Sequence, residues 1–190
     1  MTPEEFDACF ERFQRSAFRL ETLQRYTVDS ETERIKAFLR GEPRPDRSVR
    51  TSPWLRRVAL TTAAGKHWSR VHIVDLPLTD YLRYQLVGKV ESAAAGEEIR
   101  IALRREHPEL NEIRGDFWLF DAETPDAYAI AMRFDDMGRP LGHELVTDPD
   151  RTDPDRIDAY RRAREIAWAA SMPLNEFTAG SARHWRAQSA

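Results

Sequence analysis

The chain has one cysteine, Cys9, among 190 residues. A single cysteine can form neither an internal disulfide nor a thiolate zinc set, so both kinds of staple are excluded, and the usage fits a reducing cytoplasm. Cys9 shares helical spacing with Phe6, Phe10 and Phe13, which favours a core position over a nucleophile. The eight glycines are scattered singly, leaving no Walker phosphate loop and no dinucleotide fingerprint. His67, His72, His107, His143 and His184 form no H-x-x-x-H or H-E-x-x-H pair. No metal and no cofactor is therefore expected. No apolar run approaches the ~18–20 residues of a spanning helix, and the mean hydropathy is −0.64. The opening MTPEEFDACF has neither the basic nor the apolar region of a secretory leader. These absences predict a cytoplasmic protein with no membrane partner.

The residues are 41% hydrophobic and 32% charged, the balance of a globular chain. Its length suits one domain of ~100–200 residues. The expected organisation is a single domain over residues 1–178, with a helical arm at 1–42, a linker at 43–53, an α+β body at 54–178 and a tail at 179–190. The net charge of −3 conceals an uneven distribution. Residues 44–70 carry seven basic side chains against one acid, and residues 116–158 carry twelve acids against four basic side chains. Such polarity either marks a partner surface or lets the two blocks face one another.

Thr2-Pro3-Glu4-Glu5 is a capping box with proline at the first helical position. Phe18-Arg19-Leu20-Glu21 reads as extended, and a second helix is expected from Ser30 to Gly41, burying Ile35, Phe38 and Leu39. Pro43 and Pro45 mark the linker. Ser52-Pro53 opens a third helix that Gly65 stops. Strands are expected at 71–74, 99–103, 116–121, 128–134 and 141–146, with a short helix at 80–86. Asp135-Asp136-Met137-Gly138 has the composition of a hairpin turn. Asp153-Pro154 should open a long final helix to about Ser171, covering the sheet with Ile157, Tyr160, Ala163, Ala167 and Trp168. The fold class is therefore α+β: a five-stranded, mostly antiparallel mixed sheet under a long C-terminal helix.

Local catalytic patterns are missing. His143 to Asp150 has the His/Asp spacing of a phospholipase-D-type motif, but Leu145 stands where that chemistry needs a phosphate-holding lysine. No serine sits in a G-x-S-x-G elbow. Aspartates such as Asp116, Asp121, Asp135 and Asp136 lie at strand ends and turns, where they are usually structural. The basic stretch lies near Trp54, Trp68 and Tyr81, a mixture that suits nucleic-acid or protein contacts.

Several segments taken in order resemble a known family. They are Phe18-Arg19-Leu20-Glu21, Leu76-Pro77-Leu78-Thr79-Asp80-Tyr81-Leu82-Arg83-Tyr84, Ala95-Gly96-Glu97, Asp116-Phe117-Trp118-Leu119-Phe120-Asp121 and Asp135 to Gly138. The series is similar to a family of uncharacterised actinobacterial proteins commonly encoded beside helix-turn-helix regulators, over residues 18–177. That resemblance supplies no catalytic residues. The order of strands and final helix also resembles the C-terminal half of some helix-turn-helix regulators, which implies sensing a signal or binding a partner protein. A DNA-binding helix pair is missing at the N-terminus.

Three readings follow. The first is a non-enzymatic regulatory or protein-interaction module acting with a separately encoded helix-turn-helix regulator. The second is a small-molecule enzyme or ligand-binding domain with a polar pocket at Asp80, Tyr81, Arg83, Tyr84, Asp116 and Trp118. The third is direct nucleic-acid binding through Arg44, Arg47, Arg50, Arg56, Arg57 and Arg70.

Overall fold

A computed structural model describes residues 1–148 and 155–180. The fold is α+β, with a seven-stranded mixed sheet in place of the expected five strands. The strands are β1 (Ser16–Glu21), β2 (His67–Val74), β3 (Glu97–Leu103), β4 (Asp116–Phe120), β5 (Tyr128–Phe134), β6 (Pro140–Val146) and β7 (Ser171–Pro173). The helices are α1 (Pro3–Arg12), α2 (Thr32–Leu39), α3 (Pro53–Ala63), α4 (Asp80–Ala94), α5 (Asp155–Ala169) and α6 (Leu174–Gly180). The sheet order is β6-β5-β4-β1-β2-β3-β7. β1, β2 and β3 run parallel, and every other neighbouring pair is antiparallel.

Two strands are additional to those expected, and each has a physical reason. β1 reads S-A-F-R-L-E, with charges at alternate positions that look solvent-facing, yet it lies between β2 and β4 and is covered on both faces. The N-terminal segment expected as a helical arm thus supplies the centre of the sheet. β7 is only three residues long and ends in Pro173, which is tolerated because it is an edge strand.

Side-chain alternation sorts the sheet into two faces. Phe18, Leu20, Val71, Ile73, Phe117 and Leu119 point to one face and pack with Ile157, Tyr160, Ala163 and Ala167 of α5. That helix is not the C-terminal element, because β7 and α6 follow it. Its expected opening at Asp153-Pro154 lies outside the described residues. So do Pro149 and Asp150, and the expected tail beyond Gly180. On the opposite face, Ala17, Trp68, Trp118, Phe120, Tyr128 and Ile130 meet Phe10 of α1, Phe13, and Leu55 and Val58 of α3. Further along that face, Val74, Ile99, Ile101 and Leu103 meet Leu82 and Leu86 of α4. Full burial of each such large side chain stabilises the fold by about 1.5–3 kcal/mol.

The local signals for α1 and α3 act as expected. Thr2 accepts from Glu5 N at 3.2 Å while the Glu5 carboxylate accepts from Thr2 N at 2.7 Å, and Ser52 caps α3. The helix at 80–86 runs on to Ala94, through Gly88. α2 is shorter than expected and buries no residue; Leu39 is exposed. It packs against the 3-10 turn Asp29–Glu31 and α4, standing off the main core.

The turn before β6 gives a test. Gly115 and Gly138 both have φ of +75°, but a Cβ on Gly115 would meet nothing within 4 Å, whereas one on Gly138 would lie 2.3 Å from the carbonyl oxygen of Arg25. Gly115→Ala should cost roughly 1–2 kcal/mol for the left-handed backbone alone. Gly138→Ala should cost clearly more, because the turn must separate from Arg25 and strain the bond from Thr27 N to Gly138 O. Urea unfolding midpoints check this; equal losses for the two variants would contradict the close approach.

Candidate functional site

Between the two apolar clusters of the helix-covered face runs a polar band. β4 contributes Asp116, β1 contributes Arg19 and Glu21, β2 contributes Arg70 and His72, β3 contributes Glu97, and α4 lowers Lys89 onto them. All are buried except Arg70, whose side chain keeps 14% of its exposure. Arg19 Nη2 donates to Asp116 Oδ2 at 2.8 Å, and Asp116 also accepts from Thr22 N, Thr22 Oγ1 and the Tyr26 hydroxyl. Arg70 donates from Nε to Glu97 at 2.7 Å and from Nη1 to Glu21 at 2.9 Å. The other oxygen of Glu21 accepts from Lys89 Nζ. Three cations thus face three carboxylates, the condition under which ions are tolerated in a core.

Burial opposes ionisation of Glu21, but the charges of Arg70 and Lys89 outweigh it and hold the carboxyl well below its ordinary range. Burial pulls Lys89 down, with Glu21 opposing. Burial raises the Tyr26 hydroxyl well above its usual value, and the Asp116 charge adds to the effect. Burial and then the Lys89 charge lower His72 to about 4, so its ring is neutral near pH 7. Its Nε2 lies 3.0 Å from the Leu23 carbonyl, which can only accept, and this assigns the proton to Nε2. Nδ1 then presents a lone pair 3.4 Å from Glu21 and has no donor.

A cleft opens over this band. Its inner chamber, about 130 Å³, is bordered by Trp54, Arg70, Gln85, Lys89 and Ser92. Its outer chamber, about 530 Å³, is bordered by Ala37, Phe38, Pro43, Pro45 and Pro53. Arg34, Arg44, Arg47 and Tyr84 border both chambers. Arg44 and Arg47 reach Glu91 Oε2 at 3.3 and 3.1 Å and also donate to the carbonyls of Tyr84 and Gly88. Arg34 makes no hydrogen bond or salt bridge to a described residue. At the floor, Lys89 Nζ has one acceptor, and Arg70 Nη2, Trp54 Nε1 and Ser92 Oγ have none among the described residues. Glu31 accepts from Gln85 at 3.1 Å and from Tyr81 at 3.4 Å, and burial raises its pKa. A larger cavity of about 620 Å³ runs along α5 past Ile113, Tyr160 and Ile166. None of the buried polar band reaches it.

A family model described as a domain of unknown function (DUF6879) matches residues 4–179. The chain belongs to the DUF6879 family. No curated protein and no solved structure matches it. Any assignment of chemistry in this DUF6879 chain therefore rests on side chains.

Of the six pocket residues expected from sequence, Tyr84 borders the cleft, and Tyr81 stands behind it on Glu31 and Gln85. Trp118 is buried beneath Arg70, whose guanidinium lies 5.6 Å from its ring. Asp116 is engaged by Arg19, Thr22 and Tyr26, while Arg83 lies 3.5 Å from Asp80 at the start of α4. The cavities do not bring Arg83 and Asp116 together. Of the six surface arginines, Arg44, Arg47 and Arg70 border the inner chamber. Arg57 is instead bidentate on Asp7, and Arg56 donates to the Val49 and Arg50 carbonyls, leaving Arg50 outside the cleft. No described salt bridge joins residues 44–70 to residues 116–158. Sequence reasoning missed Arg34, Glu21, His72 and Lys89. Lys89 had a signal: it falls three and seven residues after Leu86 and Leu82, on the buried stripe of α4.

His72 sets a pH window. Its folded pKa is about 4 and its unfolded value 6.5, so the unfolded chain binds the extra proton between them. The stability it contributes is complete above pH 6.5, falls as pH drops toward 4, and amounts to on the order of 3 kcal/mol. His72→Gln should flatten the pH 4–6.5 slope of the unfolding free energy relative to wild type. Identical slopes in urea titrations would show that His72 is not buried neutral.

Proposed function

We propose that this chain is a small-molecule-binding domain whose cleft takes an anionic ligand. The observation that carries the reading is the spare donor capacity of Lys89 and Arg70 at the floor of a cavity. These donors line the cavity and are not among the buried polar atoms sealed without a partner, so an anion seated there would meet them directly. Around the inner chamber, Arg34, Arg44, Arg47, Arg70 and Lys89 are set against Glu31 and the paired Glu21, Glu91 and Glu97, an excess of one cation, while Glu33, Glu42 and Asp46 border the outer chamber. Charge-assisted bonds to an oxyanion are the strong kind, and arginine suits them geometrically.

Ligand binding is compatible with the regulatory role beside a helix-turn-helix regulator that the resemblance implies. Residues 29–53 touch α4 through Glu31, Arg44 and Arg47 and through the Phe38 ring on Tyr84, so an anion on those arginines would alter how this segment holds to the body. The nucleic-acid reading has less support, because Arg56 and Arg57 are already engaged within the chain.

Calorimetric titration with inorganic phosphate at low ionic strength tests the proposal. One saturable site is expected, with a dissociation constant in the millimolar range or tighter, about −4 kcal/mol or better. Arg34→Ser should weaken it several-fold, and Arg133→Ser, at an exposed position of β5, should leave it unchanged. No saturable heat, or equal loss in both variants, would contradict an anion site here.

A further inference from the structure

We infer that the ligand is a phosphate monoester carrying a flat ring, with the phosphoryl group in the inner chamber and the ring in the outer one; this deepens, and rests on, the anion-site reading above. The number of free donors favours a phosphoryl group. Lys89 has two uncommitted N–H groups, Arg70 Nη2 has two, and Trp54 Nε1 and Ser92 Oγ have one each, about six in all. A carboxylate offers about four lone-pair positions in one plane. A phosphoryl group offers three strong acceptor oxygens spread in three directions. The donors come from three elements, with Trp54 on α3, Arg70 on β2, and Lys89 and Ser92 on α4, and so converge from different sides. Size agrees. The inner chamber of about 130 Å³ matches roughly four waters at ~30 Å³ each, room for one small oxyanion and little more.

The rest of the ligand must leave through the side shared with the outer chamber, past Arg34, Arg44 and Tyr84. At about 530 Å³ that chamber lies within the ~300–1,000 Å³ of small-molecule sites. Its apolar lining is Phe38, Tyr84, Ala37 and three prolines, and polar or charged side chains, Glu33, Glu42 and Asp46 among them, make up the rest. Guanidinium planes stack on rings, and Arg44 already does so on Tyr84 at 5.0 Å. Arg34, with no hydrogen-bonded partner among the described residues, is available to do the same to a bound ring.

The test compares phenyl phosphate, inorganic phosphate and benzoate by calorimetry on the full chain. Phenyl phosphate is expected to bind at least tenfold more tightly than either of the others. Ala37→Trp, which fills the outer chamber, should bring phenyl phosphate down to the affinity of inorganic phosphate on the same variant. Lys89→Gln should lose both phosphates; should that variant not fold, Ser92→Ala at the same floor should weaken both several-fold. Equal affinity for inorganic and phenyl phosphate would overturn the ring subsite, and benzoate matching phenyl phosphate would overturn the phosphoryl preference. In either case the anion site itself would stand. A phosphotyrosyl peptide binding more tightly than phenyl phosphate would overturn the small-ligand assignment. If none of the three probes binds, the anion site and this inference fall together.

Discussion

The carboxylate of Glu21 is the constraint on which the rest of the structure depends. It sits in the central strand and accepts from Arg70 on one oxygen and Lys89 on the other. Removing one partner of a buried pair costs about 3–5 kcal/mol, because the remaining charge stays uncompensated. Glu21 thereby fixes the placement of α4 over β1 and β2. Two apolar clusters hold the helices on this face, but neither specifies which residues of α4 meet the sheet as tightly as an ion pair does. The opposite face packs a mainly apolar cluster under α5. One face of the sheet is thus built for cohesion, and the other divides its area between cohesion and a polar seam.

A polar seam across a core stabilises less than an apolar one of the same volume, since desolvation offsets most of the Coulombic attraction. Its retention here makes sense if the seam also has work at the surface. The part nearest Asp116 is closed by Thr22 and Tyr26. The part nearest Lys89 opens into the cleft, where donors outnumber acceptors. The segment that roofs the cleft, from the 3-10 turn through α2 to the start of α3, has its own logic. α2 buries nothing and sets the Phe38 ring against Tyr84, and the flanking residues Glu31, Arg44 and Arg47 add polar contacts to the body. Elements with few buried apolar contacts are those that open at least cost. A cleft with a rigid ionic floor and a weakly held roof suits reversible capture of a solute.

Much of the fold was legible in the sequence where one local rule decided the outcome. The capping box at Thr2 and the Ser52-Pro53 start of α3 act through contacts a few residues away, and so does Asp135, which closes the Gly138 turn on the amides of Met137 and Arg139. β1 and β7 were less legible because their status depends on neighbours distant in sequence. Arg19 and Glu21 look like an exposed face until Asp116, Arg70 and Lys89 are placed opposite them. The same non-locality governed the site. Arg44, Arg47, Arg70 and Tyr84 stood out by charge and aromatic character, and they do border the cleft. Asp116 and Trp118 stood out equally and proved to be framework. Lys89 was hidden because the helix was expected to span only 80–86, whereas it runs to Ala94.

The account comes down to whether the Lys89 ammonium, paired to Glu21 from below, faces a ligand from above. Nitrogen-15 NMR of the lysine side chains during a phosphate titration reads that atom directly. The account predicts a distinct, shielded Lys89 Nζ resonance that shifts saturably with phosphate, while the Lys36 signal at an exposed pair with Glu33 stays put. A Lys89 resonance that is unmoved at saturating phosphate, or that moves no more than Lys36, would contradict it.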